Sequence, residues 1–117
     1  MNFEKLKVWR RATKLSAKIY RETETLKDFG YRNQLTRSGL SVPSNIAEGM
    51  TRTSDREKIR FLEISRSSLA EARTQIYIGS QIGYLPKEIA NLWLRETKEI
   101  AAMLTGLMKS IKQEGAS

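Results

Sequence analysis

The chain has 117 residues, with 21 lysines and arginines against 13 acids for a formal charge of +8, and it contains neither cysteine nor histidine. That length predicts one domain able to bury most of its apolar side chains, and that charge predicts a polyanionic partner. The missing residue types exclude disulfides, the usual zinc sites, cysteine or serine–histidine nucleophile machinery and a histidine pH switch.

No apolar run approaches the roughly 20 residues of a membrane span, and the N-terminus has no signal-peptide core, so the expectation is a cytoplasmic protein that does not enter membranes. Two prolines and little strand-like alternation predict helices throughout. Residues 1–5 read as a lead-in. From Leu6 to about Leu26 nothing breaks a helix, and Val8, Ala12, Leu15 and Ile19 form an apolar seam that Trp9, Ser16 and Tyr20 widen. Lys7, Arg11, Lys14, Lys18 and Arg21, joined by Arg10, form a basic row centred roughly 100° from that seam. No acid lies between Lys5 and Arg21 to offset it.

Lys27-Asp28-Phe29-Gly30 turns the chain into a second helix over 31–49, with Leu35, Gly39, Val42, Ile46 and Gly49 on its inner face. Pro43 interrupts that face, having no N–H for the Gly39 carbonyl. The helix either kinks there or restarts with Ser41 as its N-cap, and the unbroken apolar spacing favours the kink. Gly49 is expected to end the helix at positive φ. Ser54-Asp55-Arg56-Glu57 spells a capping box opening a third helix over 54–82. Its inner face is Phe61, Leu62, Ser65, Ser68, Leu69, Ala72, Ile76 and Gly79, small enough for tight packing.

Gly83 should stop that helix, Tyr84 and Leu85 fold back on it, and Pro86 open a fourth over 86–112, with Glu114–Ser117 frayed. Ile89, Trp93, Ile100, Met103, Leu104, Leu107 and Ile111 point inward. A second row, Ala90, Leu94, Ala101 and Met108, fits either a wide core stripe or a contact with another subunit. Short connections force successive helices antiparallel. The expected architecture is all-α: a single domain, 1–117, folded as an antiparallel up-down four-helix bundle.

Leu6-Lys7-Val8-Trp9-Arg10-Arg11-Ala12, Val42-Pro43-Ser44-Asn45-Ile46-Ala47-Glu48-Gly49, Arg52-Thr53-Ser54, Phe61-Leu62, Glu71 and Gly83-Tyr84-Leu85 resemble the four-helix-bundle proteins encoded in intervening sequences of bacterial 23S ribosomal RNA genes. The similarity covers nearly the whole chain, although Ser38-Gly39 stands where the family commonly has Arg-Ala. The resemblance implies a homo-oligomer, a ring of five subunits. It also brings in a relative, the basic accessory protein of diversity-generating retroelements, and by that analogy a reverse transcriptase as partner.

The basic row carries the strongest functional signal, because cations repeated along one helix face track a phosphate backbone. With no aromatic residue interleaved, contact with RNA or DNA should be backbone-led and weakly sequence-specific. Arg52 and Arg56, flanking the start of the third helix, are candidate auxiliary phosphate contacts. Asn45 and Glu48 read as structural, Asn45 serving carbonyls near Pro43 and Glu48 meeting Arg52. No catalytic residue, metal site or cofactor is expected. The alternative is a protein–protein adaptor whose positive surface receives an acidic partner.

Overall fold

Apolar rows at helical spacing, separated by three short breaks, leave the chain one economical way to bury them. In a computed structural model describing residues 2–116, four antiparallel helices share one core: α1 (Lys7–Thr23), α2 (Phe29–Met50), α3 (Asp55–Gln81) and α4 (Lys87–Ala116). A 3₁₀ turn, Phe3–Lys5, precedes α1, capped by Asn2 Oδ1, which accepts from the Glu4 N–H at 3.1 Å. There are no strands among the described residues. The bundle measures 50 × 20 × 20 Å. The core comprises the expected seams, from Val8, Ala12, Leu15 and Ile19 on α1 to Ile100, Leu104 and Ile111 on α4.

The first connection departs from expectation. α1 stops at Thr23 rather than near Leu26, where the buried Thr23 hydroxyl donates back to the Ile19 carbonyl at 2.7 Å. α2 starts at Phe29 rather than Tyr31, because Asp28 is its N-cap: Asp28 Oδ1 accepts from the Tyr31 N–H at 3.0 Å. The Tyr84 hydroxyl donates to the other Asp28 oxygen at 2.9 Å, tying this cap to the α3–α4 connection. Together these bonds hold the Asp28 carboxyl below the usual aspartate range, the Tyr31 amide contributing most.

α2 runs through Pro43 without a break, so the restart at Ser41 does not occur. The surrounding carbonyls find side-chain donors. Asn45 Nδ2 donates to the Ser41 carbonyl at 2.8 Å and to Ser41 Oγ at 2.9 Å, and Ser65 Oγ of α3 donates to the Val42 carbonyl at 2.8 Å. Ser38 donates to Gln75 Oε1 at 2.6 Å, adding a polar tie between α2 and α3.

Gly49 does not end α2. The helix continues to Met50, and Gly83, at φ +80°, is the only glycine with positive φ among the described residues. The reason for glycine at 49 is proximity: a Cβ there would lie 3.0 Å from the Phe61 Cβ and 3.1 Å from the Lys58 carbonyl oxygen of α3. Gly106 on α4 has nothing within 4 Å of such a Cβ. Gly106→Ala should therefore raise stability by about 0.5–1 kcal/mol through helix propensity alone. Gly49→Ala should lower it by about 1–3 kcal/mol, since a backbone carbonyl cannot step aside. Urea denaturation of both variants checks the opposite signs.

Gly83 ends α3 as expected, with the Tyr84 and Leu85 N–H groups donating to the Gly79 carbonyl at 2.9 and 3.1 Å. α4 does not fray at Glu114: it is helical to Ala116, while Ser117 lies outside the described residues. Its last turn is supported against the start of α3, where Gly115 comes so close that a Cβ would sit 2.7 Å from Asp55 Oδ2.

Candidate nucleic-acid interface

The apolar seam of α1 fixes the helix's rotation, and that decides where its cations point. Lys7, Arg10, Lys14, Lys18 and Arg21 are exposed, and none takes part in an ion pair among the described residues. Arg11 is different. It stands on the edge of the row that turns toward α4, and its side chain is only 26% exposed. Its Nη2 lies 2.5 Å from Glu96 Oε1, its Nε donates to Glu96 Oε2 at 2.9 Å, and Nη2 also pairs with Glu99. One member of the basic row is thus offset by acids after all, supplied by α4 rather than by α1. Arg11 leaves the set of free phosphate contacts and becomes a clasp between the first and last helices.

That clasp perturbs both partners. The carboxylates hold the Arg11 guanidinium more firmly protonated than usual, by accepting its hydrogen bonds, Glu96 first and Glu99 second. Hydrogen bonding to Arg11 pulls the Glu96 carboxyl below its ordinary range against an opposing effect of burial, and the charges of Arg11, Lys18 and Lys14 pull the same way. A carboxylate whose pKa is depressed by folding contributes stability that is complete above its unfolded value, roughly 4.3, and is lost as pH falls through the folded value. Stability should therefore decline with acidification below about pH 5, and part of that decline should vanish in Arg11→Gln. Urea midpoints of both proteins at pH 7, 5, 4 and 3 test this; an identical pH dependence would rule the clasp out as the cause.

Lys14, Lys18 and Arg21 also rim an open groove of about 630 Å³ between α1 and α4, together with Arg11, Leu15, Glu22, Ile89, Leu92, Trp93 and Glu96. α1 and α4 touch less than any other pair of neighbouring helices in the bundle, which is why this seam stays open.

The start of α3 gives little to an anion. Ser54 Oγ accepts from the Glu57 N–H at 3.2 Å, and Asp55 and Glu57 occupy the first turn. Arg52 stacks on Phe61, 4.8 Å from the ring centroid, and pairs with Glu48 at 3.2 Å, so it is committed within its own subunit. Arg56 is exposed near Arg60 and Lys112, some way from the α1 row along the chain. Of the two arginines, only Arg56 is left without an acid partner among the described residues.

The second row of α4 also resolves. Ala90 and Met108 are 1% and 4% exposed within one subunit, and Leu94 and Ala101 pack partly buried against the same core. On this side of α4, Arg73 Nη1 of α3 donates to the Leu94 carbonyl at 2.7 Å and to Thr97 Oγ1 at 2.8 Å. Ala90 and Met108 thus belong to the core of their own subunit, while Leu94 and Ala101 keep part of their surface at its edge. Glu96 and Glu99 are the functional neighbours that sequence reasoning missed. Their only signal is a position beside the α4 core stripe, and nothing in the sequence says which helix they face.

Among the described residues no three acids gather as metal ligands, and no helix is long and apolar enough to cross a membrane. Fold and surface together define an all-α up-down bundle with a cationic first helix. The chain belongs to the 23S rRNA-intervening sequence protein family, whose profile matches residues 4–106. The fold is also that of a crystallised protein of unknown function from the S23 ribosomal protein family of Bacteroides thetaiotaomicron, with a TM-score of 0.82 and 23% identity over 87% of this chain and 98% of the other. No curated protein matches the chain significantly.

Proposed function

We propose that the protein binds RNA or DNA non-enzymatically through the outer face of α1, contacting phosphates with little preference for sequence. The observation that supports this most is five exposed cations on one helix face, Lys7, Arg10, Lys14, Lys18 and Arg21, none with an acid partner among the described residues. Such a row neutralises a phosphate backbone and gains by releasing its counterions. Should subunits assemble in a ring, as the family resemblance implies, several rows would engage one strand and multiply the affinity. Arg56, exposed and unpaired by any acid among the described residues, remains an auxiliary contact.

Catalysis is not part of the proposal. Glu48 is engaged by Arg52, and Glu71 stands exposed beside Arg37 and the serines Ser38, Ser41 and Ser68, with no second acid in that depression. Direct titration of labelled RNA and duplex DNA at low salt tests binding, and failure to bind either would remove the proposal. The same nucleic acids incubated with magnesium should remain intact; cleavage abolished by Glu48→Gln or Glu71→Gln would show an enzyme instead.

A further inference from the structure

The α1–α4 groove has a floor that phosphate contact does not explain. Leu15 and Trp93 form its base, Ile89 is half-buried beside them, and Leu92 stands 55% exposed on its wall. Leu92 and Ile89 lie side by side here, and apolar side chains offer nothing to a polyanion. Above the floor, the α1 side carries Lys14, Lys18 and Arg21. Across from them, Glu96 is already neutralised by Arg11, leaving Glu22 as the one lining acid without an ion-pair partner. The groove is therefore apolar below and net positive at its rim.

From this combination we infer that the α1–α4 groove is a docking site for an amphipathic helix with acidic flanks, supplied by a partner protein. Two antiparallel helices in sparse contact leave a trough between them, and a third helix laid in it repeats the packing of the bundle itself. The lined stretch of α1, Arg11 to Glu22, is about 16 Å long at 1.5 Å per residue, which accommodates roughly three turns of helix. Apolar side chains at i, i+3, i+4 and i+7 of the guest would cover Leu92, Ile89 and the edge of Trp93. Its flanking carboxylates would meet Lys14, Lys18 and Arg21. This goes beyond the nucleic-acid proposal and stands independently of it, because it rests on the exposed Leu92 and the half-buried Ile89. The two share three cations, so a docked helix would compete with nucleic acid for them while leaving Lys7 and Arg10 uncovered.

The probe is a fluorescein-labelled synthetic peptide of leucine, glutamate and alanine with all leucines on one helical face. Its control has the same composition with the leucines dispersed around the helix. The amphipathic peptide should bind the full chain at least about tenfold more tightly than the control, and Leu92→Ser should erase about tenfold of that affinity. Lys14→Gln/Lys18→Gln should weaken peptide binding as well, whereas Leu92→Ser should leave RNA affinity within about twofold, since it changes no charge. Leu92 is exposed, so its replacement should not unfold the bundle, and circular dichroism verifies that. Equal binding of both peptides would reduce the groove to a site for any polyanion and overturn the inference. So would peptide binding indifferent to Leu92→Ser, or a smaller assembly of Leu92→Ser in sedimentation, which would make a second copy of this chain the occupant.

Discussion

Leu104→Ala should destabilise the protein by about 2–5 kcal/mol, as should Leu69→Ala and Ile46→Ala. All three side chains are at most 1% exposed and lie in one core cluster, on α4, α3 and α2 respectively. Removing their methyl groups forfeits both the transfer free energy and the contacts around the cavity left behind. α2 and α3 are the most extensively packed pair in the bundle, cross-tied by Ser38–Gln75, Ser41–Ser68 and Ser65–Val42, so collapse around a void at Leu69 or Ile46 is restricted. Costs there should fall in the upper part of the range. Leu94→Glu belongs to the same experiment: Leu94 packs on its own subunit's core, so a charge there should lower the unfolding free energy itself. Urea midpoints at a fixed protein concentration, with unchanged slopes, check all four. A Leu104→Ala cost below about 1 kcal/mol would mean that its surroundings are loosely packed.

The bundle was legible because its signals are local or periodic. The seam Val8–Ala12–Leu15–Ile19, the Ser54 cap and the Gly83 stop each depend on residues within a turn or two, and each stands where expected. Errors arose where a local signal had a long-range cause. Gly49 reads as a helix end, since glycine takes positive φ readily, yet it is demanded by α3 pressing on that turn. The Ala90–Met108 row fits a core stripe and an interface equally by spacing, and only the packed bundle shows that Ala90 and Met108 lie in the core of their own subunit. The basic row shows the limit most clearly. Periodicity gives the angle between Arg11 and the seam, but nothing in α1 announces that Glu96 and Glu99 lie across the gap. Which helix is the neighbour on that side is a property of the assembled bundle.

That distinction changes the experiment on which the functional proposal turns. Substituting Arg11 together with its neighbours would mix loss of binding with loss of a structural tie, so the informative variant is Lys14→Gln/Lys18→Gln/Arg21→Gln, with Arg11→Gln as a separate control. If five cations per subunit each neutralise one phosphate, the log–log salt dependence on duplex DNA should have a slope of about −4.5, at about 0.9 per phosphate. With Lys7 and Arg10 remaining, the triple variant should show about −1.8, and affinity should fall for all sequences alike. Single-stranded RNA should give a shallower slope, at about 0.7 per phosphate. The triple variant should unfold at nearly the wild-type urea midpoint, because its three exposed side chains make no ion pair among the described residues. Arg11→Gln should do the reverse. It strands Glu96, which is only 29% exposed, and should cost about 1 kcal/mol of stability while leaving the salt slope almost unchanged. The two variants thus exchange effects, one losing phosphate contacts and the other losing a clasp. Should Arg11→Gln instead reduce the slope by about 1, the guanidinium would have to leave its carboxylates to reach phosphate. Should the triple variant bind as tightly as the wild type at every salt concentration, α1 is not the nucleic-acid face.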